Sequence, residues 1–226
     1  MNNKALIKSA TVLLIYFSWL LILQNIKAFQ SLFLSIFSLL LTFITLIILF
    51  LIYKDELIDE FKNLSKKDIK YVVINIFSII FIMSLSNAIS YAFLKDKLIL
   101  NSNNDILSFA YSKDVFNMIR LIILSPFMEE VVFRKNIRVI VKNDIYFILF
   151  SGLILGTLYI VSEGFTIIGI ISSLSYILVG FMLSYSYTKT NNIYINIISR
   201  ILYNLLVVVL VLWSGLKWLK KLWLVL

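Results

Sequence analysis

The stretch Phe29–Tyr53, FQSLFLSIFSLLLTFITLIILFLIY, contains no charged residue, no glycine and no proline. About 20 apolar residues are enough for a helix to cross the hydrocarbon core of a bilayer. A helix also satisfies its own backbone donors and acceptors there, where water cannot. Apolar runs of similar length recur on both sides of this one: 9–26 before it, then 71–94, a run starting near Val115, 145–160, 165–187 and 193–213. The run at 145–160 is short for a span. The connecting segments are too short for a separate soluble domain, and no internal repeat is visible. The expected fold class is therefore all-α: a polytopic transmembrane helix bundle of seven to eight spans. The organisation expected is a single membrane domain over 1–226. It divides into N-terminal helices (1–114), a core (115–210) and an interfacial or membrane-associated tail (211–226).

Composition agrees with this reading. Of the 226 residues, 61% are apolar and 15% are charged, against roughly 45–50% and 25% in soluble domains. An ordinary soluble enzyme and a disordered chain are excluded. The net charge of +9 would suggest nucleic acid in a soluble domain. Here the cations lie between apolar runs, so membrane lipid headgroups are the expected partner and nucleic acid is not. There is no cysteine and no histidine. Disulfides, thiolate nucleophiles, Ser-His catalysis and His-ligated metals are all removed. No cofactor is expected.

Lysine and arginine set the orientation. With the N-terminus inside, the inner segments carry Lys4 and Lys8, five lysines over 54–70, Arg134, Lys135, Arg138, Lys142 and Lys189. The outer segments carry Lys27, Lys95, Lys97, Lys113, Lys217, Lys220 and Lys221. The excess of twelve over seven favours a cytoplasmic N-terminus in a multi-pass plasma-membrane protein. The bias toward Ile, Leu, Lys, Asn and Phe suggests an AT-rich bacterial genome.

Charged residues inside a membrane cost about 2.5–3.5 kcal/mol each and are functional candidates by default. They concentrate in Ser125-Pro126-Phe127-Met128-Glu129-Glu130-Val131-Val132-Phe133-Arg134. On a helix, Glu130 and Arg134 share a face and can pair, while Glu129 points about 100° away, free to face a cavity. Two neighbouring carboxylates disfavour double ionisation, which leaves one suited to general acid or base work. Nothing after Arg134 breaks the helix until the next span. If the turn lies at 142–144, Glu129 is about 20 Å deep. The same climb along the next helix reaches Leu158 and Tyr159. Arg200 and Asn204 lie about 12–18 Å into the last span. Three helices thus bring polar groups to one depth.

Pro126-x-x-Glu129-Glu130-x-x-Phe133-Arg134 resembles the first motif of the CAAX-protease and bacteriocin-processing (CPBP, also called Abi) membrane proteins. The likeness covers about Arg120–Leu206. The family's second motif, Phe-x-x-x-His, aligns with Leu155 and Tyr159. Its third, His followed four residues later by Asn or Asp, aligns with Arg200 and Asn204. Both histidines are replaced and the carboxylate helix is kept.

The resemblance implies a CAAX-protease-like bundle and a site of Glu129, Glu130, Arg134, Asn204, Arg200 and Tyr159. In family members the first Glu is thought to activate water for cleavage of a membrane peptide, and some accounts place a metal there. A metal does not suit two Glu and an Asn beside the fixed charge of Arg200. Arg200 cannot act as a base. It can neutralise Glu129, or join Asn204 and Tyr159 as donors to an oxyanion. Two functions follow from the resemblance. One is a pseudo-protease that holds a membrane-embedded peptide or a partner membrane protein, as in bacteriocin self-immunity. The other is a glutamate-dependent intramembrane endopeptidase acting on membrane-embedded or lipidated peptides.

Overall fold

The computed structural model describes residues 3–26, 32–94, 114–163 and 167–213. Among these residues there is no strand. The helices are α1 (Asn3–Ile26), α2 (Leu32–Ile52), α3 (Lys54–Lys62), α4 (Ile69–Leu94), α5 (115–140), α6 (Asp144–Glu163), α7 (Ile167–Thr190) and α8 (Ile193–Trp213). Each of the seven expected apolar runs forms a helix, and α3 is an added short one. The turn after α5 falls at 141–143, within one residue of the expected 142–144. Most of the expected tail, and most of the loop before Asp114, lie outside the described residues.

Among the described residues, four segments are long and apolar enough to cross a membrane: Asn3–Gln24, Leu32–Ile52, Lys66–Ser86 and Ile193–Leu210. Asp144–Leu158 is a shorter apolar helix. The remaining long helices, α5 and α7, carry many of the buried polar residues, including Arg120, Glu130, Arg134, Ser184 and Ser186. The chain is a multi-pass helical membrane bundle.

Helix α2 shows how such a bundle reverses the soluble pattern. Phe33, Phe37, Leu40, Phe43, Ile44, Ile47 and Leu51 are exposed, while Ser35, Ser38, Thr42 and Thr45 are buried. The inward residues recur every three or four positions, one face of a helix. Lipid accepts the apolar face, and the small hydroxyl residues allow close approach and cross-helix bonds. Trp19 of α1 donates its indole N–H to Thr42 Oγ1 at 3.0 Å. Ser38 donates to Asn117 Oδ1 of α5 at 3.0 Å.

Helices α6 and α7 cross at glycine. A Cβ on Gly180 would lie 2.7 Å from the Gly152 Cα, and one on Gly152 would lie 2.9 Å from the Ile177 carbonyl oxygen. Only glycine permits this approach. The α7–α8 turn is two residues long, and Asn191 takes φ 48° there. Asparagine tolerates the left-handed conformation better than most residues.

Helix α3 lies across the ends of the bundle. Glu60 accepts hydrogen bonds from the Ile193 backbone N–H (2.7 Å) and the Tyr187 hydroxyl (3.3 Å). It also pairs with Lys135. Its backbone carbonyl takes the Asn192 amide at 2.6 Å. One acidic side chain thereby caps α8 and fixes its first turn beside α5. Two turns further along α8 is Arg200.

Candidate functional site

Helix α5 runs unbroken through Pro126, so Ser125-Pro126 is neither a helix start nor a break. The chain accommodates the proline by widening. Residues Arg120–Leu124 form a π turn, in which the Ser125 N–H reaches back five residues to the Arg120 carbonyl. The next bond in that register would join position 126 to the Leu121 carbonyl. Proline has no N–H to give. The Asn204 amide of α8 donates to this carbonyl instead, at 3.0 Å. A second π turn, Val131–Asn136, follows. There the Phe133 carbonyl accepts the Ser151 hydroxyl of α6 at 2.6 Å. Both wide turns are thus bonded by side chains of neighbouring helices, and between them stand Glu129 and Glu130.

Glu130 and Arg134 are fully buried, and Arg134 Nε lies 3.2 Å from Glu130 Oε2. The i,i+4 pairing expected on one helical face is present. It is an ion contact without hydrogen-bond alignment, since Arg134 Nε and Nη1 have no hydrogen-bond partner. Arg134 Nη2 donates to the Gly180 carbonyl at 3.4 Å. Arg200 reaches in from α8. Its Nη2 is 2.7 Å from Glu129 Oε2 and its Nη1 is 3.2 Å from Glu130 Oε1. The side chains of Glu129 and Arg200 are 12% and 16% exposed, so among the described residues the cluster opens to its surroundings at the Glu129–Arg200 pair. Asn196, one turn before Arg200, donates to Glu130 Oε2 at 3.2 Å and to the Leu183 carbonyl at 2.8 Å.

Four of the expected site residues therefore meet: Glu129, Glu130, Arg134 and Arg200. Two carboxylates and two guanidiniums cancel in charge, which is how ionised groups persist away from water. The expected freedom of Glu129 to face a cavity is not seen, because Arg200 holds its carboxylate. Asn204 lies one turn beyond Arg200, but its amide is engaged with α5 backbone. Tyr159 lies on α6, and its side chain is outside the described residues. Arg120, earlier on α5, is buried and donates from Nε to Asn117 Oδ1 at 3.0 Å. Asn196, Asn75, Ser151 and Gly180 were not expected. Asn196 could have been found, because the spacing Asn196, Arg200, Asn204 puts three polar residues on one face of a membrane helix.

A divalent cation does not fit this donor set. The carboxylates already bracket a guanidinium, and a cation between them would face the charge of Arg200 within a few ångströms. No group of three or more Asp, Glu, His or Cys converges among the described residues. The chemistry available is charge pairing, plus hydrogen bonding at the accessible edge of Glu129.

Residues 111–206 match the family model for Rce1-like proteins, described as type II CAAX prenyl endopeptidase Rce1-like. The match takes in α5 to most of α8 and leaves α1 to α4 outside it. The chain matches no curated protein and no solved structure.

Proposed function

We propose that this multi-pass membrane protein, whose residues 111–206 match the Rce1-like family model, holds a membrane-embedded peptide or a partner membrane protein without cutting it. In this reading it is a pseudo-protease of a bacterial plasma membrane, with its N-terminus cytoplasmic, serving bacteriocin self-immunity. The observation that carries the reading is the Arg200 guanidinium, 2.7 Å from Glu129. An activating base needs a free lone pair aimed at water. Here a permanent cation engages one oxygen of the carboxylate and stabilises its charge, which weakens it as a base, at a position that the sequence resemblance aligns with a family histidine. The lysine excess of the segments placed inside supports the orientation.

A second reading keeps the endopeptidase, because the Glu129 carboxylate remains partly accessible and Glu-Glu-x-x-x-Arg is intact. The two separate in a survey of peptide N-termini from membranes expressing wild type or Glu129→Gln at matched levels. Identical profiles are expected. New N-termini confined to wild type would replace the binding reading with proteolysis and identify the substrate. A partner cross-linked to α5 and α8 in both proteins would support the binding reading directly.

A further inference from the structure

We propose that Asn75, on α4 and outside the Rce1-like segment, is a positioning residue for the carboxylate pair, acting through Asn196. Asn75 is 2% exposed. Its amide nitrogen lies 3.0 Å from Ser186 Oγ, 3.3 Å from Asn196 Oδ1 and 3.3 Å from Ser199 Oγ. It is thus a donor buried where three helices meet.

The orientation of Asn196 follows from its partners. Its nitrogen faces the Leu183 carbonyl and the Glu130 carboxylate, both of which only accept. A flipped amide would set an oxygen against two other oxygens. The unflipped amide turns Oδ1 toward α4, where Asn75 donates to it. Asn75 therefore holds Asn196 with its N–H toward Glu130. That N–H and one from Arg200 are hydrogen bonds to this carboxylate, and Arg134 adds an ion contact. Hydrogen bonds to a charged group are worth more than neutral ones. Glu130 shares Arg200 with Glu129, so the setting of Asn196 reaches both carboxylates.

The test is carbodiimide labelling of the purified full-length protein in detergent at neutral pH, located by mass spectrometry. Carbodiimides modify protonated carboxyls in apolar surroundings and spare ionised ones. No substrate or activity is required, so the result stands apart from whether the protein binds or cuts. Asn75→Ala is expected to raise labelling at Glu129 and Glu130 together about tenfold, the effect of one lost hydrogen bond to a charged group. Asp114, partly buried at the far end of α5, keeps its wild-type labelling. In an Asn196→Leu background, Asn75→Ala is expected to add nothing. Asn75→Asp keeps the side-chain volume, replaces the donor by an acceptor, and is expected to raise labelling as much or more. An unchanged pattern, a rise that includes Asp114, or equal rises in both Asn196 backgrounds would overturn the proposal. So would failure of both Asn75 variants to accumulate, which would mark Asn75 as a packing residue alone.

Discussion

Arg200 lies 2.7 Å from Glu129 and 3.2 Å from Glu130, so one guanidinium on α8 bridges both carboxylates of α5. Removing it leaves two negative charges against Arg134 alone. Arg200→Gln is expected to cost about 3–5 kcal/mol, the usual effect of breaking a buried pair, read as a lower thermal midpoint in detergent. Glu129→Gln added to Arg200→Gln restores one-to-one pairing between Glu130 and Arg134 and is expected to recover most of the loss. A double variant no more stable than Arg200→Gln would show that charge balance is not what the arginine provides. Lysine at position 200 is not equivalent, because a single ammonium cannot offer two separated nitrogens in a fixed plane.

The α6–α7 crossing supports the same cluster from below. Gly180 has no room for a methyl group against the Gly152 backbone, and its carbonyl accepts from both Arg134 and Ser184. Gly180→Ala must separate the helices or distort α7. The expected loss is about 1–3 kcal/mol, as for other overpacked sites, again read as a thermal midpoint. Ser184→Ala, which removes one donor without adding bulk, is expected to cost less.

Much of this architecture was legible in the sequence, because lipid imposes a simple condition on length and polarity. Phe29–Tyr53 has one reading, and the rise of a helix per residue was enough to bring Glu129 and Arg200 to one depth. The pairing of Glu130 with Arg134 needed only helical spacing. Other contacts were out of reach for physical reasons. Asn75 and Asn196 are 121 residues apart in the chain, and nothing local says which faces of α4 and α8 meet. The widened turn before Pro126 trades one bond register for another, and the donor that completes it, Asn204, comes from α8, 83 residues away in sequence from the Leu121 carbonyl it fills. The glycine crossing depends on which ridge of α7 meets α6, and a pattern of apolar residues does not encode that.

At the α3 end of the bundle, Lys8 of α1 lies 2.9 Å from Glu56 of α3. Burial pushes the Glu56 carboxyl upward, but the hydrogen bond and charge of Lys8, bonding to its own helix backbone and the charge of Lys135 together hold it below the usual value. A carboxyl depressed in the folded state stabilises above its ordinary pKa of about 4.3 and loses that contribution as pH falls through the folded value. The side chain is 44% exposed, so solvent screening keeps the effect under about 1 kcal/mol. Wild type is expected to melt slightly above Glu56→Gln at neutral pH, with the gap closing in acid below pH ~4. A gap that persists in acid would assign the difference to packing.

Asn204 and Pro126 form a unit that a double-mutant cycle can separate from any role at the carboxylates. The Leu121 carbonyl is the acceptor that proline leaves without a donor, and the Asn204 amide fills it at 3.0 Å. Asn204→Leu strands that carbonyl in an apolar interior, at an expected cost of about 1–3 kcal/mol. With Pro126→Ala, position 126 regains an N–H that can reach the Leu121 carbonyl in the existing π register, or allow α5 to tighten into a regular helix. Either change leaves the Asn204 amide dispensable for stability. Asn204→Leu is therefore expected to cost much less in the Pro126→Ala background, measured as thermal midpoints of the four proteins. If the cost is the same in both backgrounds, Asn204 does not act through the proline, and its amide must be assigned to the charged cluster one turn away.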